Sequence, residues 1–325
     1  MITVFNNFTS GTRTKYPKMD ILIWIAGLLR YKSFGYRTKL YCLREDVKFL
    51  EDNRLLGLYD EIDVDTLANE AHEALSKVDG KRFWSTRKLE CMRHEWLVLG
   101  NADSIYSDTD VVMNSPFSLN GLDALVWSPE THKKVSIYIP WEMMTSPAGY
   151  VRPPYISKCD DAYNCGVVWL GFPEMFGRWY DEYHAWADGN MCFISPDVTD
   201  QQNNLFACNG EQRILKAVLD DAGARVGCVM DPQGQGISKA GAHWYYWRVL
   251  WRLAQKSGSL RSEQNPEGNP ALVMLNVAAL ECLKAIGSLN PVLQDEVTSD
   301  GWLREFKAVE DSSGPKIYGY LTSYE

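Results

Sequence analysis

The chain has 325 residues, 46% hydrophobic and 23% charged, a balance that excludes a disordered, collagen-like or low-complexity protein. With 33 basic against 42 acidic side chains the net charge is −9, which speaks against broad attraction to nucleic acid or anionic membrane. The length suits one large domain, or one domain with a smaller appendage, and can bury a sizeable core.

Ile2–Phe5 reads as a first strand. The apolar run Ile21–Leu29 is too short to span a bilayer and lacks the basic start of a signal peptide, so Met19–Tyr31 reads as a buried helix. Arg37–Leu43 is a second strand, with Lys39, Tyr41 and Leu43 alternating against Leu40 and Cys42. Asp46–Leu56 and Thr66–Val78 follow as helices, the latter after an acidic Asp60–Asp65 cluster that can supply caps. In Ser85–Leu99, Leu89, Met92, Trp96 and Leu99 recur at helical steps.

Ser104–Met113 is an apolar strand cut by Asp108-Thr109-Asp110. Asp123–Trp127, Val135–Ile139, Tyr163–Leu170 and Arg225–Met230 read as strands, and Pro173–Trp186 and Gly210–Asp220 as helices. Beyond His243 the pattern turns helical over Trp244–Leu253, Ala271–Ile286 and Asp300–Val309, with a loop or linker at Lys256–Pro270. This alternation implies an α/β sandwich with a largely parallel sheet. The expected division is a domain over 1–250 and a helical extension over 251–325 packed on it. Eight cysteines show no C-x-x-C pair and no zinc spacing, which suits free buried thiols and a cytoplasmic protein.

Chemistry concentrates at Asp108-Thr109-Asp110. A second D-x-D, Asp63-Val64-Asp65, precedes a helix, where acids serve as caps. Asp108 and Asp110 instead interrupt apolar strand sequence, where two carboxylates are costly unless a cation or donors meet them. Strand alternation would turn both to one side, and hard oxygen ligands suit Mg²⁺ or Mn²⁺ with a bound phosphate. His243 follows the Gly-rich loop Pro232–Gly241, a composition that fits a closing lid. No Walker loop, G-x-S-x-G elbow or H-E-x-x-H is present.

Arg87-Lys88-Leu89 on a helix, followed by an apolar strand ending in Ser107-Asp108-Thr109-Asp110-Val111, resembles the nucleotide-sugar-dependent glycosyltransferases of the A-type fold. Within these it is most similar to the glycogenin and galactinol-synthase type and their bacterial relatives. Tyr163-Asn164-Cys165-Gly166-Val167-Val168 resembles that group's Asn-Ser-Gly-Val segment, Gly210-Glu211-Gln212 its Asp-Gln pair, and His243-Trp244 its late histidine. Glu211 is one methylene longer than the usual acid, and Cys165 stands where serine is usual.

The resemblance implies a mixed sheet flanked by helices and a glycosyltransferase using Mn²⁺ or Mg²⁺ and a nucleoside-diphosphate sugar, with UDP-sugar favoured and configuration retained. It implies Asp108, Asp110 and His243 as metal ligands, and Phe5, Asn6, Lys88, Asp108 and Gly166 as the donor-nucleotide site. Asn164, Glu211 and Gln212 would face the donor sugar and the acceptor. The acceptor would be a glycan, a protein or a small molecule, with a nucleic-acid base disfavoured by the acidic charge. The alternatives are a sugar nucleotidyltransferase, suggested by Ser10-Gly11-Thr12-Arg13 with Pro17-Lys18, and a relative that binds nucleotide or carbohydrate without turnover.

Overall fold

The computed structural model describes residues 1–9, 18–78, 83–131, 138–144, 146–188, 206–230, 241–243, 282 and 284–293, without the side chains at 18, 19, 70, 71, 206 and 241–243. The expected helices 244–253 and 300–309, the loop 256–270 and most of the strand 135–139 lie outside these residues. So do the lid residues 232–240 and nearly all of the extension 251–325.

Among the described residues, seven strands form one mixed sheet: β1 (Thr3–Phe8), β2 (Arg37–Cys42), β3 (Glu61–Asp63), β4 (Ser104–Ser107), β6 (Ala124–Glu130), β7 (Ala162–Leu170) and β8 (Val226–Cys228), in the order β3-β2-β1-β4-β7-β6-β8. β3, β2, β1 and β4 are parallel; β7 runs antiparallel between β4 and β6. The helices flanking it include α1 (Lys18–Ser33), α2 (Val47–Asp52), α3 (Thr66–Ser76), α4 (Thr86–Arg93), α5 (Pro154–Ser157), α6 (Pro173–Ala187) and α7 (Phe206–Asp221). This is the mixed α/β architecture expected, a mostly parallel sheet flanked by helices.

Three differences from the sequence reading have physical reasons. The stretch 104–113 is two strands, because Asp108–Asp110 turn the chain out of the sheet. β5 (Val111–Met113) then pairs antiparallel with β9 (Gly241–His243) in a separate ribbon. The helix expected over 85–99 loosens after Arg93 into a π turn, His94–Val98. β2 does not alternate between core and solvent: Lys39, Leu40, Tyr41 and Cys42 are all buried, as befits a strand covered on both faces. Lys39 is tolerated there because its ammonium lies 3.0 Å from Glu95 and 2.9 Å from Glu61.

The apolar surplus of α1 is also explained. Residues 20–29 are buried on every side, which is how a helix apolar all round reads once it is placed between layers. Trp24, Trp96, Trp127, Trp141, Trp179 and Trp186 are buried, so these six rings build core rather than a carbohydrate platform. Cys282, Ala285, Ile286 and Leu293 join the core around α1. The seven described cysteines are free thiols, and among the described residues no helix is long and apolar enough to cross a membrane.

Helices α4 and α6 are tied by His184, which lies between Glu90 (Nε2–Oε1 3.2 Å) and Asp188 (Nδ1–Oδ1 2.9 Å). Glu90 also accepts from Tyr180 and Arg93. Burial would lower the His184 pKa, but the bonds to Glu90 and Asp188 outweigh it and raise it. Stability from this histidine is therefore complete below its ordinary range near 6.5 and is lost as pH rises through the higher folded value. Melting temperature against pH should accordingly fall less steeply above about pH 6.5 in His184→Gln than in wild type. Parallel curves would show that the tie contributes no proton linkage.

Candidate functional site

Where β1 continues into α1 and β2 on one side, with β4 on its other side, the parallel sheet has a topological switch point. Ligands of open α/β sheets gather outside the carboxyl ends of the strands at such a place. Here those ends carry Asn6, Asn7 and the Asp108–Asp110 turn. Asp108 is half-buried, and its amide donates to the Gly166 carbonyl at 2.8 Å across from β7. Its Oδ1 is 2.7 Å from the Tyr106 hydroxyl, which is equally close to Asn7 Oδ1 and so donates to one of them at a time. The two aspartates lie on a turn closed by Val111 N–H to Asp108 O, not on a continuous strand, so strand alternation does not orient them.

Lys88 projects from α4 beneath this turn and is buried. Its Nζ donates to the Cys165 carbonyl at 2.6 Å and lies 3.3 Å from Asp108 Oδ1, 2.9 Å from Glu211 Oε1 and 4.6 Å above the Tyr106 ring. The approach to Glu211 has ion-pair distance without hydrogen-bond alignment. Burial would lower the Lys88 pKa, but Asp108 and Glu211 raise it well past the ordinary value. Glu211 is wholly enclosed, and burial raises its pKa against the pull of Lys88. The expectation of Lys88 at the donor nucleotide is thus revised: its charge is directed at two carboxylates of the protein. The expectation of Glu211 facing sugar or acceptor is likewise revised, because α7 starts at Phe206 and puts Glu211 in its second turn, inside the core.

A second polar group adjoins the first. Asn164 donates through Nδ2 to Glu130 Oε1 at 2.9 Å, and its Oδ1 accepts the Gly166 N–H at 2.9 Å. The Tyr138 hydroxyl bonds Glu130 Oε2 and Gln212 Oε1. Asn164, Gly166 and Gln212 therefore lie together, along with Glu130 and Tyr138, which sequence reading missed. The available signal was the acid of Glu130 just after an apolar strand, obscured by the Ser128-Pro129 that precedes it.

Phe5, expected at the nucleotide, is wholly buried and meets Tyr41, Trp96 and Tyr106 edge-on, so its side chain belongs to the core. Asn6 is also turned inward, donating to the Ser107 carbonyl at 2.5 Å. Asn7, one residue on, is the side chain of β1 that reaches the Asp108 group.

His243 is placed by its backbone alone: in the β5–β9 ribbon it stands opposite Val111, next to Asp110. Among the described residues no three or more His, Cys, Asp and Glu side chains gather as a metal site. The donor chemistry of Asp108 and Asp110 still suits a hard divalent cation. The competing D-x-D behaves as a cap: Asp63 accepts the Asp65 and Thr66 amides at 3.0 and 2.8 Å, and Asp65 forms an exposed pair with Arg44.

A scan against family models finds no match, and a search of curated proteins finds none. Among solved structures the chain is similar to one named "PaToxG Glycosyltransferase", at 10% identity and TM-score 0.37, over 95% of this chain and 86% of that one. A likeness at that level carries no argument about activity or site.

Proposed function

We propose that the protein is a metal-dependent glycosyltransferase that moves a sugar from a nucleoside-diphosphate sugar, UDP-sugar favoured, to an acceptor hydroxyl. The observation that carries this reading is the pair Asp108 and Asp110 on the turn at the β1–β4 switch point, with a buried lysine directly behind it. Asp108 and Asp110 would hold Mn²⁺ or Mg²⁺, with His243 as a third ligand. The cation, when bound, would act as a Lewis acid on the departing nucleoside diphosphate.

The chain's own residues divide the remaining work. Lys88 would fix Asp108 from beneath the turn. Asn7 and the β1 backbone lie where a nucleoside would enter. Asn164, Glu130 and Gln212 offer a fixed set of amide and carboxylate groups suited to sugar hydroxyls. The resemblance favours retention of configuration.

A thermal-shift screen of UDP, GDP and CMP and their sugars, with and without Mn²⁺, tests the reading; no shift with any nucleotide would sink it. Asp110→Asn removes a negative ligand while keeping shape, and should nearly abolish Mn²⁺-dependent nucleotide binding. Asp65→Asn should not, since it loses only an exposed pair worth about 0–1 kcal/mol. Release of nucleoside diphosphate rather than pyrophosphate separates transfer from nucleotidyl chemistry.

A further inference from the structure

Helix α1 contributes no acid or base to the site, yet one of its faces meets the aspartate turn from two sides. Trp24, Gly27 and Tyr31 are spaced at three and four residues and so share that face. The Tyr31 hydroxyl is 2.6 Å from Ser107 Oγ, and Ser107 Oγ in turn donates to the Asp108 carbonyl at 3.1 Å. The direction of the second bond makes Tyr31 the donor in the first.

From Trp24 a parallel chain runs to the same turn. Its indole N–H donates to the Tyr59 hydroxyl at 2.6 Å, Tyr59 donates to Asn6 Oδ1 at 2.9 Å, and Asn6 Nδ2 donates to the Ser107 carbonyl. All of Trp24, Tyr59, Asn6, Tyr31 and Ser107 are buried, so the links are shielded from bulk water. On the far side of the turn, a Cβ on Gly27 would fall 2.5 Å from the Val111 carbonyl oxygen. The helix backbone therefore seats directly against the strand that leaves Asp110.

We infer that this face of α1 is a clamp that sets the geometry of the Asp108–Asp110 turn, with Tyr31 and Gly27 as positioning residues for the carboxylate pair. The inference rests on the reading of that pair as a cation site. A turn held at Ser107, at the Asp108 carbonyl and at Val111 leaves the carboxylates little freedom other than their own side-chain rotation. A clamped pair meets a cation without first being ordered, and a loosened pair must lose that freedom on binding.

Two variants separate the clamp from general stability. Tyr31→Phe removes only the hydroxyl, and Gly27→Ala forces α1 and Val111 apart. Gly177→Ala, on α6 with open space around it, is the control. Binding of Mn²⁺ alone is read by electron paramagnetic resonance of the free ion, at a temperature where all proteins are folded. Hydrogen exchange of residues 107–113 is read without metal. The expected result is Mn²⁺ affinity weakened about tenfold to a hundredfold in both variants, with faster exchange at 107–113, and no change in the control. Wild-type Mn²⁺ affinity and unchanged exchange in both variants would overturn the clamp. If wild type itself fails to bind Mn²⁺, the metal reading fails. The clamp is then decided by exchange alone: faster exchange supports it as a device that orders the turn, and unchanged exchange overturns it.

Discussion

Lys88→Met is expected to destabilise the fold by about 3–5 kcal/mol, the range for removing one partner of a buried ion pair. Viewed as a helix-surface lysine, the substitution would touch donor binding and leave the fold alone. The structure changes that expectation. Methionine fills the aliphatic space but leaves Glu211, wholly enclosed, and Asp108 beside it without the ammonium that lies 2.9 and 3.3 Å from them. It also leaves the Cys165 carbonyl without its donor.

The sign with pH follows. Burial raises the Glu211 pKa even in wild type, and removing Lys88 takes away the interaction that opposes this rise. A raised folded carboxylate loses stability as pH climbs from its ordinary range through the folded value, and the variant should lose more. The deficit of Lys88→Met should therefore narrow in acid and widen toward neutrality. Adding Glu211→Gln should restore part of it by removing the stranded charge. Urea unfolding of the two variants at acid and neutral pH measures both effects. A deficit below about 1 kcal/mol, flat with pH, would mean that the pair is solvated in solution.

The reach of the sequence is clearest at the aspartate turn. Context alone separated Asp108-Thr109-Asp110 from Asp63-Val64-Asp65, because carboxylates inside apolar strand sequence need partners and carboxylates before a helix already have a use. Lys88, Asp108, Asn164 and Gln212, singled out by their order along the chain, stand on α4, after β4, on β7 and on α7. Direction within the site was not legible. Nothing in a helical stretch around Lys88 says that its ammonium points at Glu211, because the partner is 123 positions away, and Asn6 and Asn7 differ only in which side of β1 they occupy. Alternation failed at β2 for a related reason: in a strand covered on both faces, burial of Lys39 is decided by Glu95 and Glu61, which come from other elements. The division between β4 and β5 was hidden because both halves are equally apolar; only pairing of β5 with β9 reveals it.

Gly210→Ala is expected to destabilise the fold by up to about 3 kcal/mol, although it adds a single methyl group to a helix. A Cβ on Gly210 would stand 1.8 Å from Trp186 Cζ3 and 2.4 Å from Cε3, distances that no side-chain adjustment of the alanine can relieve. The indole cannot retreat. It is wholly buried, with Phe83 edge-on at 5.3 Å and Trp141 and Tyr183 at 6.2 Å between ring centres. Close-packed interiors transmit such an insertion as backbone movement, so α7 must shift away from α6. Overpacking of this kind costs about 1–3 kcal/mol, and the closed ring cage puts Gly210 at the upper end. The shift begins one residue before Glu211 and two before Gln212, so it also moves the carboxylate away from Lys88 and the amide away from Tyr138. Gly177→Ala, with nothing near its added methyl group, should instead be neutral or gain about 0.4–1 kcal/mol from the stiffer unfolded chain. Denaturant midpoints of the two variants, taken with any nucleotide-induced thermal shift, check the argument. Equal midpoints would mean that Trp186 has another rotamer to occupy, and Gly210 would then be a helix glycine without a packing role.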